Sequence, residues 1–234
     1  MAEYFTDLGI GNYRIIQDTD DYAFSQDSVF LANMAKLGVK DSVLDLGCGS
    51  GILATLALVK KSVKKATGVE VQEKFCDMAR RSAQLNCLDL EIINCDVNDI
   101  RNHIAAESFD KVLCNPPYFS QDSPKASNNK GIARSESTAS LDCFVKAAAY
   151  SLRFGGDLWI VLKATRMAEL FVALENSNLS AKELILIYPK LSRGVDSVIV
   201  SAKKGGKSGL VTKTFIAQNE DGSFTQEYLQ LYGQ

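Results

Sequence analysis

From residue 42 onward, short runs of apolar and β-branched residues alternate with stretches whose apolar positions recur at helical spacing. The runs 42–47, 66–71, 90–97, 109–115 and 157–163 read as strands, and 51–61, 73–85, 98–105 and 140–154 as the helices between them. That alternation is the pattern of βαβ units, so an α/β chain built on a largely parallel sheet is expected. A further helix at 164–177 and runs at 184–188 and 197–203 bring the expected sheet to seven strands. Residues 189–194 suit a hairpin and are too few for a helical crossover, so the last strand is expected to run antiparallel, inserted beside the parallel set. Ahead of the sheet, 27–37 reads as a helix with Val29, Phe30, Ala32, Met34 and Leu37 apolar and Asp27 as its candidate N-cap, and 4–24 as a small strand pair. The expectation is a single domain over 1–234: an N-terminal cap (1–41), a Rossmann-like core (42–204) and a C-terminal extension (205–234).

Composition narrows the class. With 234 residues, 46% hydrophobic and 23% charged, the chain can bury a sizeable core. Its longest apolar runs, such as 52–59, are too short to span a bilayer, and the acidic N-terminus has no basic, apolar leader, so a soluble cytoplasmic protein without a membrane partner is expected. Cys48, Cys76, Cys87, Cys95, Cys114 and Cys143 form no Cys-x-x-Cys pair, and His103 is the single histidine. That set offers no zinc site, no disulfide framework and no histidine-activated nucleophile, so no metal is expected. A net charge of −2 argues against coating nucleic acid by bulk attraction. The charge is nevertheless uneven: 1–35 sum to −5, whereas 190–213, with Lys190, Arg193, Lys203, Lys204, Lys207 and Lys213 against Asp196, sum to +5.

Two motifs turn this picture toward chemistry. Asp45-Leu46-Gly47-Cys48-Gly49-Ser50-Gly51 follows a strand and opens a helix, where glycines let backbone approach a ligand and the helix start presents free N–H groups. Its spacing differs from the Gly-x-Gly-x-x-Gly of pyrophosphate sites, and an acid two residues before the first glycine repels phosphate but suits an ammonium group. S-adenosylmethionine is such a ligand. Glu70, with Val71 beside it, stands at the end of the second strand to accept the ribose hydroxyls; Asp96, at the end of the third, can accept from the adenine amine while the Val97 amide meets a ring nitrogen.

The second motif, Asn115-Pro116-Pro117-Tyr118, ends the fourth strand, whose carboxyl end neighbours that of the first. The lone pair of an exocyclic adenine amine is delocalised into its ring. The Asn115 side-chain oxygen and the Pro116 carbonyl can each accept one N–H, localising that pair and aiming it at the methyl carbon, while the prolines stiffen the loop. Tyr118 and Phe119 are expected to stack on a base turned out of its helix or loop. The polar stretch 120–134 reads as a mobile flap. Its Lys125, Lys130 and Arg134, together with Lys190, Arg193, Lys203, Lys204 and Lys207, are the candidates for backbone phosphate.

The two motifs together make the chain resemble a class I S-adenosylmethionine-dependent methyltransferase of the kind that modifies adenine N6 or glutamine N5. Over nearly its whole length it resembles the bacterial tRNA1(Val) adenine-37 N6-methyltransferase family, through Phe24-Ser25-Gln26-Asp27-Ser28, Ile132-Ala133-Arg134-Ser135-Glu136 and Asn219-Glu220-Asp221-Gly222-Ser223-Phe224-Thr225. That resemblance implies that Phe24 and Asp27 close over the methionine end of the cofactor, that Asn115 also meets the cofactor, that Asn115 to Tyr118 carry catalysis, and that a tRNA is the partner. The alternatives are another RNA or DNA as substrate, a protein glutamine, or RNA binding without transfer. The glutamine enzymes bring a helical recognition domain, for which the roughly forty residues before the sheet are too few.

Overall fold

The computed structural model describes residues 3–18, 24–61, 63–117 and 139–232. A hairpin of β1 (Glu3–Asp7) and β2 (Arg14–Asp18) precedes helix α1 (Gln26–Met34). Then come β3 (Val43–Leu46), α2 (Ile52–Lys60), β4 (Ala66–Glu70), α3 (Glu73–Leu85), β5 (Leu90–Asn94) and β6 (Phe109–Cys114). The chain continues with α4 (Leu141–Ser151), β7 (Leu152–Lys163), α5 (Met167–Asn176), β8 (Leu179–Tyr188), β9 (Ser197–Lys204), β10 (Val211–Ile216) and α6 (Gln226–Leu231).

Eight of these strands form one sheet in the order β10-β8-β9-β7-β6-β3-β4-β5. All run the same way except β9, which lies antiparallel between β7 and β8, as the short connection at 189–194 requires. The seven expected strands are present, and β10 adds an eighth, pairing parallel to β8 at the edge. It went unread because its burial is one-sided and slight: only Phe215 is buried, against Phe30 of α1 at 5.2 Å between ring centroids. β1 and β2 pair apart from this sheet, with Ile16 of β2 packed on Phe75 and Met78 of α3.

Both faces of the sheet are covered, which is why its strands read as nearly continuous apolar runs. Along β7, Leu158, Ile160 and Leu162 enter the cluster that holds Phe144 and Val145 of α4 and Leu170 and Leu174 of α5, while Trp159 and Val161 enter the one that holds Phe30 of α1 and Leu53 and Leu56 of α2. Each such fully buried aliphatic side chain contributes on the order of 1.5–3 kcal/mol.

Several boundaries differ from expectation. The helix expected over 140–154 ends at Ser151, because β7 begins at Leu152 and pairs with Phe109 before a register shift that Gly155, at φ +83°, accommodates. The strand expected over 90–97 stops at Asn94, and a 3-10 turn, Val97–Asn102, replaces the helix of 98–105, since the Asp96 carboxylate accepts from the Asn98 amide and caps it. Helix α1 starts a residue earlier than expected, with Ser25 rather than Asp27 in the N-cap position. The Asp27 carboxylate is instead drawn to the hydroxyl of Ser197 and the ammonium of Lys163.

Candidate active site at the carboxyl edge

Because only β9 is reversed, Leu46, Glu70, Asn94, Cys114, Lys163 and Tyr188 end along one edge, joined there by the start of β9 at Ser197. The glycine loop folds back over the end of β4: the amides of Gly47 and Cys48 donate to the Val69 carbonyl at 2.8 and 3.0 Å. Gly49 has φ +53°, and a Cβ built there meets nothing within 4 Å, so it forms the open side of the loop. Gly51, at φ +87°, packs toward Ala79, where a Cβ sits at 3.2 Å, and brings α2 close to α3. Cys48 fills the space left by Gly68, whose Cβ would lie 2.7 Å from its sulfur, and burial pushes its thiol well above the usual range. It is wall rather than nucleophile.

Asp45 is fully buried. One carboxylate oxygen accepts from the Ala54 amide at 3.1 Å, fastening β3 to the first turn of α2, and the other has no hydrogen-bond partner among the described residues. Burial pushes its pKa up to about 7, the Ala54 amide pulling it down and the Glu70 charge adding to the rise. Glu70 accepts from the amides of Gly49 and Gln72, both at 3.0 Å; burial raises its pKa and the amides draw it back. Asp96 uses one oxygen for the Asn98 amide and side chain, leaving the other without a hydrogen bond among the described residues; beside these carboxylates, Val97 is buried and Val71 exposed.

Across the edge, Asn115 follows β6. Its side-chain nitrogen donates to Ser28 Oγ at 2.7 Å and to Ser25 Oγ at 3.4 Å, while its buried side-chain oxygen has no partner among the described residues. Pro116 is buried and Pro117 exposed. Arg166 Nη1 donates to the Pro117 carbonyl at 3.3 Å and is itself held by a two-pronged pair with Glu169, at 2.8 and 2.7 Å. Asp27, expected over the methionine end of the cofactor, accepts from Ser197 Oγ at 2.9 Å and pairs with Lys163 at 3.4 Å; Lys163 also reaches Asp196 at 2.7 Å. Phe24 lines a cavity of about 330 Å³ with Leu8, Val29, Ile52, Leu56 and Tyr232, between the hairpin, α1, α2 and the end of α6. The sequence assigned no role to Ser28, though it stands in the run 24–28, and did not single out Arg166 or Lys163. Their contacts join segments far apart in the chain, and no spacing rule reaches across them.

The basic candidates divide between two edges. Lys190 and Arg193 lie in the β8–β9 hairpin at the carboxyl edge, Lys190 donating to the Glu220 carbonyl at 3.3 Å and the Arg193 side chain making no ion pair or hydrogen bond among the described residues. Lys203 and Lys204 do not join them. Antiparallel β9 carries both to the opposite edge, where they pair in register with Asp157 at the start of the β7–β9 ladder and Leu179 at the start of β8. There Lys203 bonds the Gly155 carbonyl and Asp157, and Lys204 bonds the carbonyls of Ala149 and Leu152. Six residues of strand, about 20 Å, separate Lys203 from the edge that holds Asn115. Tyr118, Phe119, Lys125, Lys130 and Arg134 lie outside the described residues. Among the described residues, no helix is long and apolar enough to cross a membrane.

A glycine loop after the sheet's central parallel strand, with acids at the ends of the next two strands, defines a Rossmann-like nucleoside-cofactor protein of the methyltransferase class. The model of the methyltransferase small domain family matches residues 25–182, and the chain belongs to that family: it is an S-adenosylmethionine-dependent methyltransferase. Among curated relatives, it is 26% identical over 214 residues to a tRNA1(Val) (adenine(37)-N6)-methyltransferase of Shewanella baltica, covering 89% of this chain and 90% of that one. A protein of the same name from Cytophaga hutchinsonii is 22% identical, covering 94% and 92%. Among solved structures, a predicted O-methyltransferase from Agrobacterium tumefaciens superposes with a TM-score of 0.73 at 21% identity, covering 88% of this chain and 95% of that one.

Proposed function

We propose that the protein methylates N6 of adenine in RNA, and that its target is adenosine 37, beside the anticodon, of tRNA1(Val). The observation that carries this reading is the Asn115 side chain, its nitrogen engaged by two serines and its oxygen buried, beside two prolines, without a partner among the described residues. A buried acceptor left unmatched is costly, and a donor from a substrate amine relieves that cost. The names of the relatives from Shewanella and Cytophaga, at 26% and 22% identity, support tRNA as the substrate.

The residues fit the cofactor by the same test. The unpartnered oxygen of Asp45 suits the ammonium of the methionine moiety, with Gly47, Cys48, Gly49 and Gly51 giving backbone access. Glu70, which keeps free lone pairs after accepting two amides, takes ribose hydroxyls, with Val71 beside it; Asp96 and the Val97 amide take the adenine. When bound, S-adenosylmethionine supplies a methyl group on a positively charged sulfur. Asn115 and the Pro116 carbonyl take the two N–H bonds of the substrate amine and localise its lone pair; neither accepts a proton, which leaves from the cationic nitrogen after transfer. Pro117 stiffens the turn, Tyr118 and Phe119 stack on the base, and Lys125, Lys130, Arg134, Lys190 and Arg193 meet phosphates.

Purified protein, methyl-labelled S-adenosylmethionine and unmodified tRNA test this directly. Nucleoside mass spectrometry is expected to find label in N6-methyladenosine at position 37 of tRNA1(Val). Label at another adenosine overturns the tRNA assignment, and label in a protein glutamine with none in RNA overturns the RNA reading altogether.

A further inference from the structure

An asparagine amide has two ends of nearly equal size and opposite hydrogen-bonding character. A clamp built on Asn115 therefore works in one of its two orientations only: turned over, it presents donors to a donor amine. We propose that Ser28 is the positioning residue that sets this polarity. The inference rests on the reading of Asn115 as an amine acceptor.

The geometry is specific. Ser28 lies in the first turn of α1 and is 3% exposed, with its amide bonded to the Ser25 carbonyl at 3.1 Å. Its Oγ stands 2.7 Å from Asn115 Nδ2, and Ser25 Oγ approaches the same nitrogen at 3.4 Å. Both hydroxyl oxygens thus accept from the amide nitrogen, and Oδ1 is left as the end with no partner among the described residues. The N-terminal helix, beyond covering the sheet, fixes which end of a side chain 87 residues later meets the substrate.

A double-mutant cycle reads this polarity. Ser28→Ala is expected to lower kcat on tRNA about tenfold, the effect of one lost buried hydrogen bond, with the Kd for S-adenosylmethionine unchanged. In the Asn115→Asp background both ends of the side chain are oxygens, so polarity no longer matters and Ser28→Ala is expected to change kcat less than twofold. An equal loss in both backgrounds assigns Ser28 to helix structure alone and overturns the proposal. A second readout needs no substrate. Hydrogen exchange at the Asn115 side-chain amide, its resonances assigned by their disappearance in Asn115→Asp, is expected to quicken at least fivefold in Ser28→Ala. Unchanged protection overturns the proposal as well. Wild-type protein inert on every RNA sinks the proposed function instead, and the exchange measurement then decides the role of Ser28 alone.

Discussion

The cofactor half of the carboxyl edge and the clamp half are held by different means. Around β3, β4 and β5 the acids are answered by backbone amides: Asp45 by Ala54, Glu70 by Gln72 and Gly49, Asp96 by Asn98. Around β6, β7 and β9 the polar groups are answered by side chains from remote segments. Asn115 meets Ser28 across 87 residues, Pro117 meets Arg166 across 49, and Lys163 meets Asp27 across 136. The first arrangement needs only neighbouring βαβ units; the second requires α1 packed on the sheet and β9 inserted between β7 and β8. Cofactor binding and amine activation are therefore separable by mutation.

The largest separation is expected at Asn115. Asn115→Ala removes an acceptor in the clamp while leaving Asp45, Glu70 and Asp96 in place, and transfer is expected to fall about 10²–10³-fold, the usual scale for losing one such group. Calorimetric affinity for S-adenosylmethionine is expected to stay within twofold of wild type. If affinity fell in parallel with transfer, the two halves would be one unit and the comparison would fail.

The next effect, about tenfold, belongs to the cofactor half. Asp45 carries a pKa near 7 in the free protein because burial disfavours its charge. A raised folded-state pKa means that this group's contribution to stability is fully present below its ordinary value of 3.8 and is lost as pH rises through about 7. An ammonium ligand favours the ionised form, so the sign for binding is opposite: affinity for S-adenosylmethionine is expected to rise about tenfold between pH 6 and 8, with up to one proton released. Titration in buffers of different ionisation enthalpy measures that proton, and Asp45→Asn should abolish both the release and the pH dependence. A flat profile in the wild type would separate Asp45 from the ammonium.

The same division explains what the sequence disclosed. The position of the glycine loop, Glu70, Asp96 and the Asn-Pro-Pro run at the strand ends was legible because each is local, a strand end followed by a turn whose spacing states its geometry. The reversal of β9 was legible from the shortness of 189–194. The pairing of Ser25 and Ser28 with Asn115, and of Arg166 with Pro117, was not, since nothing in one segment reports what folds against it. β10 was missed because an edge strand with one buried side chain scarcely alternates. Lys203 and Lys204 stand apart from Lys190 and Arg193 for a topological reason: proximity in the sequence counts for little once the intervening strand has run the length of the sheet.

At Gly49 a smaller effect is expected. A Cβ there meets open space, so Gly49→Ala leaves packing intact, but φ +53° costs an L-residue about 1–2 kcal/mol. The thermal midpoint is expected to drop by a few degrees, and affinity for S-adenosylmethionine to fall several-fold as the methyl group occupies the open side of the loop. Transfer at saturating cofactor should be untouched. A loss of kcat there would show that the loop also shapes the clamp.

The smallest effects distinguish the two edges. Arg193, without an ion pair among the described residues, faces the carboxyl edge, whereas Lys203 is bound to Asp157 at 3.0 Å on the far one. Each phosphate neutralised by a side chain adds about 0.7 to the salt slope of single-stranded binding. Arg193→Ala is therefore expected to reduce the dependence of log affinity for tRNA on log salt by about that amount and to weaken binding a few-fold. Lys203→Ala should leave the slope unchanged and lower stability by about 1 kcal/mol, the scale of a partly exposed ion pair. A slope that fell equally for both would mean that RNA wraps the sheet from edge to edge, and the carboxyl edge would no longer be the sole docking face.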